Sequence, residues 1–419
     1  MNIWTVVLAT IIIKFLINMY LLCSTVRSHK SIKKSNLKDD KNLYLVVRVL
    51  NEERTIVDFL EKHLNLLQRK GLYIIIAGSE KERDIDGLNL TLESVRHFLI
   101  NCDDELREKI IISEAPLSYG TGIAAQTNYA IDNMTVNNED TWIMTADVDA
   151  VISSENCNEI MKHINENQDI IEIQSTFVKN YHRVSLWQKM HAIYQDRWSV
   201  VVEVFCGKVK NWWPRFYANV SGCGMCIRVR TIKDLGLLPV STDYEDIHFS
   251  FLVNSVGMKI KMCMTRILCD TPKTLKEGLR QEYEWSFSSW DLFYYISNLR
   301  ENYREKTSKI NFIIASGVSI FLLMIWFFYS FLFIFFLYRG ILGNHYFLIY
   351  ALLILIDFEI FGVVINLKQK ESLINTLLVF ILMPIEIFRI SIPCLFAGVA
   401  RLTRIRGRKR DGIYKTDHN

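Results

Sequence analysis

The chain carries no strong excess of either charge. Its 49 lysines and arginines face 45 aspartates and glutamates, a formal net charge of +4 over 419 residues. That is too little to mark a nucleic-acid binder, so no nucleic-acid partner is expected. Regular cysteine spacing is also missing among the nine cysteines, which argues against a disulfide framework and for a reducing compartment. One C-x-x-C pair, Cys223 and Cys226, precedes Cys263 and Cys269. The long gap between the pairs suits small buried hydrophobes better than a zinc site. The marks of a cleavable leader are missing too. Residues 3–22 are apolar and long enough to span a bilayer, but lack a positive n-region and a clear small-residue cleavage site. Asn89, Asn133 and Asn219 head formal glycosylation sequons, which mean nothing in a cytosolic domain.

What the chain does have is apolar sequence gathered in blocks. Half the residues are hydrophobic, the mean hydropathy is +0.14, and basic residues cluster beside the apolar runs. Arg27, Lys30, Lys33, Lys34 and Lys38 follow the first block. Residues 1–24 therefore read as an uncleaved anchor and 25–41 as a basic linker, with the following chain on the cytoplasmic side. A second span, 311–337, follows Arg300, Arg304, Lys306 and Lys309. A third, 346–366, carries Asp357 and Glu359, which should face protein or water rather than lipid. In 373–400, Pro384, Glu386, Arg389 and Pro393 leave pieces too short to cross. That segment reads as re-entrant or interfacial, which keeps the arginine-rich tail 401–419 inside. The layout predicts a multi-pass protein of the cell (plasma or inner) membrane. Residues 42–290 form its cytoplasmic domain, 291–310 an interfacial linker and 311–400 its membrane region.

Residues 42–50 form a nearly continuous β-branched apolar run, the pattern of a strand buried on both faces. Helical spacing follows over 55–69, then a strand at 72–77, a helix at 90–100, a strand at 108–113, a helix at 122–133 and a strand at 141–145. Alternation of this kind predicts an α/β domain with a mostly parallel, Rossmann-like sheet flanked by helices. In such sheets ligands bind beyond the carboxyl ends of the strands.

Three clusters stand in order within this domain. Asp147 and Asp149 fall just past the strand Thr141–Thr145, where two carboxylates one residue apart suit a hard cation such as Mg²⁺ or Mn²⁺. Glu245 and Asp246 open a helical run, where Asp246 is placed as a proton-accepting base or, more simply, as a helix cap. Trp285 closes Gln281-Glu282-Tyr283-Glu284-Trp285, an aromatic platform for a sugar face. Trp290 reads as a membrane-interface residue, and Trp212-Trp213-Pro214 as ordinary packing first and the lining of an acceptor entrance second. His191 and His248 read as structural.

With these residues in view, the chain resembles the inverting family 2 glycosyltransferases of the GT-A fold, which include the membrane-embedded synthases of cellulose, chitin and hyaluronan. The resemblance covers 42–290. Val49-Leu50-Asn51-Glu52-Glu53 looks like the family's opening strand and nucleotide-contacting turn. Thr145-Ala146-Asp147-Val148-Asp149 looks like its metal-binding strand end. Ser221 to Arg228 looks like its acceptor-side strand ending in an arginine. Tyr244-Glu245-Asp246 looks like its "TED" motif, whose aspartate is the base, and Gln281 to Trp285 like its Q-x-x-R-W helix. The resemblance implies Asp246 as catalytic base with Glu245 in support, and metal at Asp147 and Asp149. It implies donor contacts from Asn51, Glu52, Ser79, Glu80 and Asp147, and an acceptor or closing-helix role for Gln281, Trp285, Arg280 and Arg228. The implied partners are a nucleotide-diphosphate sugar, a lipid-linked or glycan acceptor and the lipid bilayer.

Three departures stand against a standard processive synthase. The second strand ends in Ala77-Gly78-Ser79-Glu80 in place of base-holding aspartates, Tyr119-Gly120-Thr121-Gly122 lacks the family's lysine, and Glu284 occupies the arginine position of Q-x-x-R-W. The leading expectation is single transfer to a membrane acceptor. A processive synthase that exports its product is the alternative, and a non-catalytic scaffold with a degenerate transferase domain is the second.

Overall fold

The computed structural model describes Leu16 and residues 35–402, apart from 121, 137–138, 241–243, 303–305 and 344. The anchor at 1–24, most of the basic linker and the tail after Leu402 lie outside the described residues.

The first half alternates strand and helix: β1 (Asn42–Arg48), α1 (Thr55–Leu67), β2 (Leu72–Ser79), α2 (Leu90–Ile100), β3 (Ile110–Ala115), α3 (Ile123–Asp132), β4 (Thr141–Asp147), α4 (Ser154–Asn165) and β5 (Ile170–Glu172). A long helical stretch follows as α5 (Leu186–Trp198), a π-helical segment Ser199–Val204, and α6 (Phe205–Trp212). Then come β6 (Met225–Arg228), α7 (Glu245–Val256), β7 (Lys261–Met262), α8 (Leu275–Trp290) and α9 (Leu292–Asn302). Four helices close the described chain: α10 (Lys309–Ile341), α11 (His345–Lys368), α12 (Leu373–Leu382) and α13 (Pro384–Leu402).

The seven-stranded sheet runs β3-β2-β1-β4-β6-β5-β7. β1 pairs in parallel with β2 and β4, while β6 is antiparallel to both β4 and β5. Alternate residues of β1 enter opposite cores. Leu43, Leu45 and Val47 pack on one face, Tyr44 and Val46 on the other. That two-sided burial is why the strand reads as an unbroken apolar run. The expected α/β fold is what the chain adopts. β3 begins at Ile110, not at 108, because Asp103 caps the short helix Asp104–Glu108 through Leu106 N–H.

α1 buries Ile56, Phe59, Leu60, His63, Leu66 and Leu67 along one stripe. Reciprocal capping boxes start α4 at Ser153, α5 at Ser185 and α8 at Thr274, which fixes where each helix enters.

In the C-terminal region α11 is long and apolar enough to cross a membrane, and α12 with α13 form a second such candidate, bent by 41°. Glu359 is buried on α11, inside the protein. α8 lies along α13. Trp290 donates its indole N–H to Cys394 O at 3.0 Å, and Asp291 pairs with Arg401 at 2.7 Å. Trp290, expected at a membrane interface, therefore packs between helices, its ring edge-on to Phe327. Trp212, expected in ordinary packing, is 85% exposed.

Candidate active site

The site forms where the ends of β1 and β4 meet the start of α7. Arg48 and Asp147 are register partners on neighbouring parallel strands, so both leave the sheet at the same level. The Arg48 guanidinium, 6% exposed, binds Asp147 and reaches Glu245 Oε1 at 3.1 Å. One cation thus holds the first aspartate of the D-x-D pair against the first turn of α7. Sequence inspection missed Arg48 because it is a single arginine inside an apolar strand.

Asp246 is not the helix cap, since Tyr244 occupies that position. Its Oδ2 accepts the Gly222 N–H at 2.9 Å and its Oδ1 accepts the Ile247 N–H at 2.8 Å. Burial pushes the Asp246 carboxyl above its ordinary value against these hydrogen bonds and against Arg48. Burial, with repulsion from Asp246, lifts Glu245 to about 7. Glu203, on the π-helical segment, is likewise raised to about 7 by burial, with Asp246 among the charges that disfavour its ionisation. Its Oε1 accepts from Asn219 Nδ2 at 3.3 Å. Glu203 carried no motif, and π-helical turns often mark functional segments.

Asp149 is held by a small network. Its Oδ2 accepts the Asp270 N–H at 3.1 Å, while Lys179 donates to its carbonyl at 2.7 Å and pairs with Asp270 at 2.8 Å. Asp147 and Asp149 therefore present hard oxygen donors at one strand end, and the Asp147 side chain remains 47% exposed. This donor set fits a divalent cation. A separate group, Glu159, His163 and Cys263, brings three ligand-type atoms within 4.8 Å of one another. The Glu159 carboxylate there already accepts Met264 N–H, Thr265 N–H and the Thr265 hydroxyl.

Arg48, Asp147, Asp149, Glu203, Glu245 and Asp246 share a cavity of about 830 Å³, which the Glu159 group does not line. Of the residues singled out from sequence, it brings together Glu52, Asp147, Asp149, Glu245, Asp246, Arg280, Gln281 and Trp285. Glu284, the charge reversal on α8, also lines it and is paired to Arg280 at 3.2 Å. Tyr119, Gly120 and Gly122 form another part of the wall.

Four expected site residues are not brought there. Asn51 turns with φ +54° and donates its N–H to Glu82. Ser79 is fully buried and caps the turn at Lys81. Glu80 accepts the Leu117 N–H at 3.1 Å and pairs with Arg83. Arg228 faces Trp142 across the β4–β6 ladder and pairs with Asp169 at 3.1 Å. Trp142 is five residues before Asp147, so Arg228 lies about 16 Å away, at the opposite end of the sheet. The cysteines behave as packing groups: all eight described ones are free thiols.

The sequence pattern of glycosyl transferase family group 2 matches residues 142–364, which include Asp147, Asp149, Asp246 and all of α8. The chain belongs to that family. It is a glycosyltransferase. No curated protein matches the chain. A similar solved structure is the mannosyltransferase PcManGT from Pyrobaculum calidifontis in complex with GDP-Man and Mn²⁺. The two share 12% identity and a TM-score of 0.49, over 94% of this chain and 96% of that one.

Proposed function

We propose that the chain is a membrane-attached inverting glycosyltransferase of single displacement. In this reading a nucleotide-diphosphate sugar lies against the β1 and β4 ends, and a lipid-linked or polysaccharide acceptor presents a hydroxyl to Asp246. The observation that carries the reading is the shared cavity, where Asp147 and Asp149 at a strand end meet the buried, doubly hydrogen-bonded Asp246.

Asp246 takes the acceptor hydroxyl proton as the oxygen bonds to the anomeric carbon. The bond from that carbon to the phosphate oxygen breaks, and the nucleoside diphosphate leaves. The peptide N–H groups of Gly222 and Ile247 aim the carboxylate, and Arg48 opposes its protonation. Glu245 supports this arrangement through Arg48. Asp149 and Asp147 would hold Mg²⁺ or Mn²⁺, which supplies charge neutralisation to the leaving diphosphate. Glu52 serves the donor directly, whereas Asn51, Ser79 and Glu80 shape the turns behind it. Gln281 and Trp285 of α8 close over the sugar, and Arg280 offsets the charge of Glu284. Arg228 has no part in this reading.

The anchor, α10, α11 and the bent α12–α13 pair attach the protein to the cell membrane, with the 42–290 domain on the cytoplasmic side. The test is nucleoside-diphosphate release by detergent-purified protein across UDP- and GDP-sugars with Mg²⁺ or Mn²⁺ and a membrane-lipid extract as acceptor. Metal-dependent release from one donor, lost in Asp149→Ala and reduced at least about a thousandfold in Asp246→Asn, is the expected result. Absence of both release and donor binding across the panel would refute the proposal.

A further inference from the structure

The catalytic cavity continues past Asp246 into a region with different chemistry. Its inner wall comes from the π-helical segment, α6, α7, α9 and α10, with Val202, Cys206, Phe251, Leu292 and Leu323 as apolar lining. Ser319 and Leu323 sit on α10 about 15 and 21 Å from Lys309, at 1.5 Å of rise per residue. The cavity thus follows an apolar helix well beyond its basic start. The far side of α10 exposes Ile313, Ile320, Phe321 and Met324.

The polar groups at this end are equally telling. Tyr217 hydrogen-bonds Ser319, while Glu203 and Asp246 supply carboxylates. The Tyr295 hydroxyl is buried and has no partner among the described residues, although its ring is fixed by stacking on His248 with centroids 4.6 Å apart. Among the described residues, the cations lining the cavity are Arg48, Lys81 and Arg280. None belongs to the elements of the inner wall, and Arg48 is committed to Asp147 and Glu245.

We infer that the acceptor is an amphiphile with an uncharged, hydroxyl-bearing head, whose hydrocarbon part occupies the inner end of this cavity against α10. The inference rests on the transferase reading above and names the acceptor class for the same site. An apolar inner wall fits an acyl or alkyl chain, because each methylene taken from water strengthens binding about fourfold. A carboxylate base serves a hydroxyl nucleophile. A polyprenyl monophosphate would bring its own anionic nucleophile beside Glu203 and Asp246, with no cation among the described residues of the inner wall to receive it. The orphaned Tyr295 hydroxyl is placed to hydrogen-bond the acceptor head, which makes Tyr295 a positioning residue.

The test uses full-length protein in nanodiscs with the donor that it splits. Three acceptors are compared: a neutral hexosyl-diacylglycerol, its free hexosyl-glycerol head, and a polyprenyl monophosphate. The expected result is transfer to a neutral glycolipid with kcat/KM at least tenfold above the free head, and none to the polyprenyl monophosphate. Leu323→Trp, which fills the inner end, should cut lipid transfer at least tenfold while donor affinity by calorimetry stays within twofold. Tyr295→Phe should raise KM for the lipid severalfold while leaving donor affinity alone. Equal use of lipid and free head, preference for the polyprenyl phosphate, or donor splitting with no neutral lipid accepted would each overturn the inference and leave the transferase reading standing. Failure to bind or split any donor would remove both together. Wild-type acceptor preference alone can decide the question if Leu323→Trp does not fold.

Discussion

The site's electrostatics turn on a single arginine. Arg48 is buried, bridges Asp147 to Glu245, and lowers the pKa of both Glu245 and Asp246. Catalysis by Asp246 needs its ionised form, so turnover should rise with pH through an acid limb above the ordinary carboxylate range. That limb belongs to the Glu245–Asp246 pair and not to either residue alone. Arg48→Met removes the cation that favours ionisation, so the limb of kcat/KM should move to higher pH. Arg48→Lys should restore much of the shift. A pH profile of donor turnover checks both variants, and an unmoved limb in Arg48→Met would refute the assignment. None of this was legible in the sequence, where Arg48 is the one charged residue in NLYLVVR. Asp147, Asp149 and Asp246 were legible, because carboxylates at a strand end and at a helix start are local patterns.

Elements were read well where burial is two-sided or amphipathic. β1, α1, β2, α2 and β4 fall within two residues of their expected limits, because an apolar run or stripe defines them. The short elements that shape the inner wall were not legible. The π-helical segment Ser199–Val204 depends on how α5 and α6 pack, not on a motif. The turn before β6 is a further case. Gly224 has φ +106°, its N–H donates to Thr145 O at 2.8 Å, and an added Cβ would strike Ile173 O. Gly224→Ala should therefore cost at least about 2 kcal/mol and disturb Gly222, which aims Asp246. Thermal unfolding in detergent, read beside donor turnover, measures both effects. Unchanged stability would show that the loop relaxes freely.

At the scale of the whole molecule, the α/β sheet region and the C-terminal helices are joined by buried charge. Arg389 of α13 is 3% exposed, pairs with Glu386 at 3.4 Å, and lies against Gly278 of α8 and over the rings of Trp187 and Tyr194. Removing one member of such a pair strands the other. Arg389→Ala should thus destabilise the protein by about 3–5 kcal/mol and lower turnover through α8, which carries Gln281 and Trp285. Melting temperature and donor release together test this coupling. A second whole-molecule expectation concerns attachment. The full chain should stay with membranes after alkaline carbonate extraction, and its recovery in the soluble fraction would contradict spanning by α11 and the α12–α13 pair.

Sequence by itself determined the alternation of strands and helices, the apolar blocks, and the order of the carboxylate clusters. These are set by local periodicity and spacing along the chain. Only the tertiary structure decided which of those residues meet. Parallel register put Arg48 level with Asp147, and the antiparallel pairing of β6 carried Arg228 to the far end of the sheet. The packing of α9 and α10 against α7 extended the catalytic cavity into an apolar recess. Such meetings depend on contacts between residues remote in sequence, and no local pattern encodes them.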